Sequence, residues 1–258
     1  MRTLALILAR TLAILIALLA ATAAARAAEI NAFVSTAIKT VTDELLPPFE
    51  RANGYTIRAS YAPSGALIPR FERGEPVDIF LTDSTAIDAL IRQGKIVAGR
   101  TDLARTGIGI AVRKGAPRPD VSSAEALRRA LIAAKTVGYA APSGGSITAA
   151  HLMGVFERLG IAAEVAPKIK LAAGGPNGRV SVLVSSGAAE IGLQLVSELM
   201  SNPEVEVIGM LPPELQLTAV ISAGLTPGTK QSEPAQAFIR HLATRDAMTI
   251  YKAKGLGL

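Results

Sequence analysis

Small hydroxyl residues and glycines recur where an extended run gives way to a helical one. Ser35-Thr36 follows Ile30–Val34, Ser64-Gly65 follows the run around Tyr55–Ala59, and Asp83-Ser84 follows Val77–Leu81. Ser143-Gly144-Gly145-Ser146, with Ile147 next, follows Thr136–Ala140, and Gly174-Gly175-Pro176-Asn177-Gly178 precedes Arg179 and another helical stretch. A helix N-terminus presents N–H groups that have no intrahelical acceptor, together with the positive end of the backbone dipole. Several such turns gathered at one sheet edge make a site for a small anion. Each turn alone is also an ordinary cap, because Ser, Thr and Asp are preferred at the start of any helix. Arg179 offers a guanidinium fork that fits a carboxylate or an oxyanion, and equally a surface or interlobe ion pair. Gln194 sits in the apolar run Ile191–Leu195. A buried amide needs partners, so Gln194 is either a ligand contact or a structural bridge. Ser201, on a late helical stretch, is expected to lie away from these turns.

Other chemistry is excluded or poorly supplied. The chain has no cysteine, which rules out disulfides, thiolate metal sites and a cysteine nucleophile. Its two histidines, His151 and His241, have no acid or nucleophile partner in sequence and read as structural or exposed. None of the patterns GxSxG, Walker A, HExxH or GxGxxG occurs. The expectation is a binding protein and not an enzyme, with no cofactor and no site for a free metal cation. The chain lacks tryptophan and is only 4% aromatic, which argues against sugar binding on stacked rings.

The elements that must position these residues alternate between strand and helix, the pattern of an α/β fold with mainly parallel sheets. Ala37, Val41, Leu45 and Phe49 repeat at a helical spacing, and Pro47-Pro48 inside that stretch predicts a kink or an early end. Extended runs at 107–112 and 217–221 interrupt the alternation. If both cross between lobes, residues 28–111 and 217–258 form lobe 1, residues 112–216 form lobe 2, and a two-strand hinge borders a cleft that closes on its ligand.

Residues 1–27 have basic starts at Arg2 and Arg10, an apolar run from Leu12 to Ala25, and Ala25-Arg26-Ala27 at the end. This is the form of a secretory signal cleaved after Ala27, which implies a periplasmic protein without stable membrane insertion. Losing Arg2, Arg10 and Arg26 would lower the net charge from +6 to +3, too little to imply nucleic acid as a partner.

The segments FVSTAIKTVTDELLPPFE, YAPSGALIPRFERGEPVDIFLTD, VFERLGI and GRVSVLVSSGAAEIGLQLVSEL together resemble the periplasmic molybdate-binding proteins and the wider group of ABC-transporter solute receptors. The resemblance spans nearly all of residues 29–255. It implies two α/β lobes, a small anionic solute in the cleft between them, an inner-membrane permease as partner, and a monomer. The residues it points to are Ser35 or Thr36, Ser64 beside Gly65, and the backbone near Ser146 and Ile147. A molybdate oxyanion would sit at Thr36 and Ser64. Where molybdate members carry a tyrosine hydroxyl, this chain has Leu195, with Gln194 beside it. A hydrogen bond to a charged group is worth about 1.5–3 kcal/mol, so losing it would lower molybdate affinity by roughly ten- to a hundredfold. Another oxyanion or a small organic acid is then an alternative ligand. A sensor input protein with the same ligand, or a secreted α/β hydrolase, are the competing functions.

Overall fold

The computed structural model describes residues 28–174 and 179–257. Residues 1–27, read in the sequence as a secretory signal, lie outside the described residues, as do residues 175–178 and 258. The chain is a two-lobed α/β protein whose strands run in the order β2-β1-β3-β9-β4-β7-β5-β6, with β8 alongside β4.

The first part alternates as the sequence predicts. β1 (Glu29–Ser35) pairs in parallel with β2 (Thr56–Ala62) and with β3 (Ile79–Asp83). Between them lie α1 (Lys39–Asn53) and α2 (Ser64–Glu72), and α3 (Ser84–Arg92) follows β3. The second part repeats this arrangement. β5 (Val137–Ala140) pairs in parallel with β6 (Ile169–Ala172) and β7 (Ile191–Leu195). Around them pack α4 (Ala124–Ala133), α5 (Ile147–Arg158), α6 (Ala162–Val165), α7 (Val180–Ser185) and the single turn α8 (Val196–Leu199). The chain closes with β8 (Val205–Met210), β9 (Thr218–Leu225), α9 (Ser232–Leu242) and α10 (Arg245–Ala253).

Two expectations change. α1 runs through Pro47 and Pro48 to Asn53 instead of stopping early. Both prolines are exposed, so the carbonyls they leave unpaired face water, while Val41, Leu45 and Phe49 hold the opposite side in the core. Gly54, at φ +67°, then ends the helix in the left-handed conformation that glycine adopts without strain. The alternation also omits α4, although Ser123 caps it through Ala126 N–H at 3.1 Å and Ala126, Leu127, Ala130 and Leu131 form its buried face.

Antiparallel pairing enters through β4 (Thr101–Arg113) and β9. The first half of β4 pairs with β9, from Thr101 opposite Ala223 to Gly107 opposite Thr218. From Ile108 onward β4 pairs with β7 on one side and, from Gly109, with β8 on the other. The strand thus changes partners between Gly107 and Ile108, and the Gln216 side chain fills that junction. Its Oε1 accepts from Ile108 N–H at 2.8 Å and Leu217 N–H at 2.9 Å, and its Nε2 donates to Ile108 C=O at 3.1 Å and Leu211 C=O at 3.3 Å. An amide that donates and accepts at once replaces a missing strand residue. A Cβ at Gly107 would lie 2.6 Å from Met210 Cε, the end of an exposed flexible side chain, and 3.1 Å from Gln216 Cδ, so it would press on the junction amide.

The PVDIFLTD segment is tied down by a carboxylate. Asp78 Oδ2 accepts from Asn31 N–H at 2.8 Å, and Oδ1 accepts from the Thr229 hydroxyl, which joins β1, the approach to β3 and the segment after β9.

Gln216→Ala would take away the partners of Ile108 N–H and of Leu211 C=O, while Ile108 C=O would keep the Leu211 N–H at 3.0 Å. Each such loss costs about 1–3 kcal/mol. For a chain of this size about 2 kcal/mol corresponds to a fall in Tm of roughly 4–8 °C. Calorimetry on the unliganded protein should show that fall, and an unchanged Tm would mean that the junction does not depend on this amide.

Candidate functional site

The carboxyl ends of β1, β2, β5, β6 and β7 meet around a cavity of about 470 Å³. Ser35, Thr36 and Ser64 line it from one side, and Ser146, Ile147, Gln194 and Arg179 from the other. Seven of the eight residues singled out in the sequence are therefore brought together. Gly65 is not in the lining. Its N–H donates to Gly145 C=O at 3.0 Å, and a Cβ on Gly65 would come within 2.8 Å of that oxygen. The two glycine turns touch backbone to backbone where the lobes meet. The Asp83-Ser84 turn serves only as a cap, with Asp83 Oδ1 accepting from Ala86 N–H at 2.9 Å.

The hydrogen bonds decide which groups are left for a ligand. The Ser64 hydroxyl donates to Ser35 Oγ at 3.3 Å, and the same oxygen accepts from Ala37 N–H at 3.3 Å. Ser35, having accepted twice, keeps its own proton to donate into the cavity. Across the cleft the Thr148 hydroxyl donates to Gln194 Oε1 at 2.8 Å, and Leu195 N–H donates to the same oxygen at 2.9 Å. Gln194 is 7% exposed, and its amide N–H groups are what remain for the cavity. The structural bridge read for it in the sequence is present, and the same side chain lines the cavity. Because Thr148 spends its proton on Gln194, the Ser146 hydroxyl, 2.8 Å away, donates to Thr148. Ser146 thus offers lone pairs and not a donor. The donors on that side are the first-turn amides of α5, a twelve-residue helix whose opening N–H groups have no intrahelical partners.

Sequence reasoning missed Lys39, Thr40, Tyr61, Ser181 and Glu198, all of which line the cavity. Ser201 also lines it, which corrects its placement as a remote residue; its hydroxyl donates to Glu198 C=O at 2.6 Å. Lys39 pairs with Asp43 at 2.5 Å and stands over the Tyr61 ring at 4.3 Å from its centroid. Burial pushes the Tyr61 phenol up to about 12. Glu198 lies in the turn of α8, three residues past β7. Desolvation pushes its carboxyl above the usual range, against a hydrogen bond from the Thr36 side chain and the nearby charge of Arg179. The Thr36–Glu198 contact is a second place where the two lobes touch. The edge rule that found the serines would also have found Glu198, but a search for anion donors passes over an acid.

Most of the remaining wall is small and apolar: Ala62, Pro63, Ala140, Ala141, Ala172, Ala173, Leu195 and Ile221 among others. Leu195, which the resemblance sets against the tyrosine of molybdate-binding proteins, is 4% exposed and adds to this apolar wall. His151 and His241 are outside the lining. His151 Nε2 is 2.7 Å from Leu215 C=O, and the His241 ring packs against Phe49. Among the described residues no helix is long and apolar enough to cross a membrane, and no group of His, Asp or Glu could hold a metal ion.

Comparison with known proteins agrees with this geometry. Residues 30–257 match the family model described as bacterial extracellular solute-binding protein. An aconitate isomerase of Pseudomonas sp is 31% identical over 219 residues, 83% of this chain and 81% of that protein. The molybdate-binding protein ModA of Azotobacter vinelandii is 28% identical over 237 residues, 89% of this chain and 90% of that protein. The solved periplasmic molybdate-binding protein of Azotobacter vinelandii superposes with a TM-score of 0.71 at 19% identity, covering 89% of this chain and 99% of that one, which shows the shared fold. The family is a solute-binding one, but a relative with an enzyme's name means that membership alone does not exclude catalysis. This chain belongs to the bacterial extracellular solute-binding proteins, the ModA-like family of ABC-type solute receptors.

Proposed function

We propose that the protein is a periplasmic receptor that captures a small organic polycarboxylate between its lobes and delivers it to an inner-membrane permease. Residues 28–111 with 217–258, and residues 112–216, would be the bodies that close over it, and the working form would be a monomer released by cleavage after Ala27. The observation that carries this reading is the size and chemistry of the cavity. A tetrahedral oxyanion has about five non-hydrogen atoms. At roughly 20–30 Å³ each, on the scale of a water in the liquid, it would fill only about a quarter of the 470 Å³. A tricarboxylate of about twelve non-hydrogen atoms would fill most of it. The wall suits such a solute: apolar patches for its carbons and separated donors at Ser35, Gln194 and the start of α5 for its carboxylates. Leu195 in place of a hydroxyl points away from molybdate, and the name of the 31% identical relative points to an acid such as aconitate.

A thermal-shift panel of aconitate, citrate, succinate, molybdate, tungstate, sulfate and phosphate tests this. A ligand at a hundredfold excess over its Kd stabilises the folded state by about 2.7 kcal/mol. That is a rise in Tm of roughly 5–11 °C for a chain of this size. The largest shift should come from a polycarboxylate. Ser35→Ala removes the donor, and Gly65→Ala wedges the lobe contact; both should reduce that shift. Ser122→Ala, on an exposed loop where the hydroxyl bonds only Asp120, should leave it intact. A largest shift with molybdate, or none with any carboxylate, would reject the assignment.

A further inference from the structure

The cavity holds one group that a receptor for an anion does not need. A carboxylate facing an anionic ligand weakens binding, yet Glu198 is set into the wall between Thr36 and Arg179, with Lys39 and Tyr61 the other titratable groups of that wall. Its position is determined by structure and not by a flexible loop: α8 follows directly on β7, and Ser197 and Leu199 on either side are buried. The turn that carries Glu198 packs against the Thr36–Ile38 turn of the opposite lobe, so Glu198 has this setting only when the two lobes meet.

We propose, resting on the carboxylate reading above, that Glu198 is an acid–base group that moves a proton between two carbons of a bound unsaturated carboxylic acid and so shifts its double bond. In a substrate of the form ⁻OOC–CH2–C(COO⁻)=CH–COO⁻, the Glu198 carboxylate takes a proton from the CH2 carbon. The C–H electron pair becomes the new C=C bond. The pair of the old C=C bond moves onto the far CH carbon and is delocalised into that carbon's carboxylate. Protonated Glu198 then returns its proton to that carbon, and the double bond has moved by one position. Nothing is oxidised or reduced, no group leaves, and no co-reactant is needed. The charge that develops on the carboxylate is met by fixed donors, the amide of Gln194 and the hydroxyl of Ser35, with Arg179 alongside. Desolvation makes Glu198 a stronger base than an exposed carboxylate, which favours taking a proton from carbon.

The test is proton NMR in D2O, with cis-prop-1-ene-1,2,3-tricarboxylate as probe and a protein-free control. The protein should exchange deuterium into the CH2 position and form the trans isomer over many turnovers. Glu198→Gln should still show the thermal shift with this probe while exchange falls by about a hundredfold or more. Glu198→Asp keeps the carboxyl but withdraws it, and should retain part of the rate. The wild-type rate should fall with acidification as Glu198 gains a proton, a limb that Glu198→Gln lacks. Binding without exchange or isomer would overturn the proposal and leave the receptor reading standing. Undiminished exchange in Glu198→Gln would overturn the role of Glu198. Absence of binding would remove the carboxylate reading and this proposal together.

Discussion

The architecture depends on one backbone problem. β4 must leave one sheet and enter another within a single residue step, and the buried Ile108 N–H at that step needs an acceptor. Gln216 supplies it from its side-chain amide, joins Leu211 N–H on the Ile108 C=O, and also binds Leu217 and Leu211. The crossing is therefore confined to a narrow hydrogen-bonded point beside Gly107, where a Cβ would press on the Gln216 amide. Pairing that is parallel on either side of it and antiparallel through it brings the carboxyl ends of β1 and β2 opposite those of β5, β6 and β7. The cavity is the space that this opposition encloses.

What the cavity can hold follows from how its polar groups are already committed. Buried hydroxyls and amides must find partners, and most of them do so among themselves: Ser64 with Ser35, Ser146 with Thr148, Thr148 with Gln194. Each relay fixes the orientation of its last member. The site is thus a mostly apolar chamber with a few aimed donors, and not a ring of hydroxyls around a single oxyanion. Glu198 and Arg179 set one acidic and one basic side chain into the same wall.

Much of this was legible in the sequence because caps and turns are local. The side-chain oxygen that accepts from its own helix lies within three residues of it, so Ser35 and Asp83 could be read without knowing the fold. The gathering of Ser35, Thr36, Ser64, Ser146 and Ile147 followed from the edge rule for α/β sheets. Other features were hidden for definite reasons. Gly65 looks like a ligand contact from one lobe alone, and only the position of Gly145 in the other turns it into a contact between lobes. Ser201 and Glu198 reach the cavity because α8 is a single turn that folds straight back over the end of β7, and four residues carry no periodicity. Pro47 and Pro48 signal a break, but exposure decides whether the helix must obey, and exposure is a tertiary property.

The most direct measurement is a crystal structure of the protein grown with the unsaturated tricarboxylate. The account predicts density for the whole molecule between the lobes, with one carboxylate on Ser35, another on the Gln194 amide, and the CH2 carbon against the Glu198 carboxyl. A tricarboxylate found outside the cleft, or a cleft that excludes it and takes up a tetrahedral oxyanion on Thr36 and Ser64 instead, would contradict it.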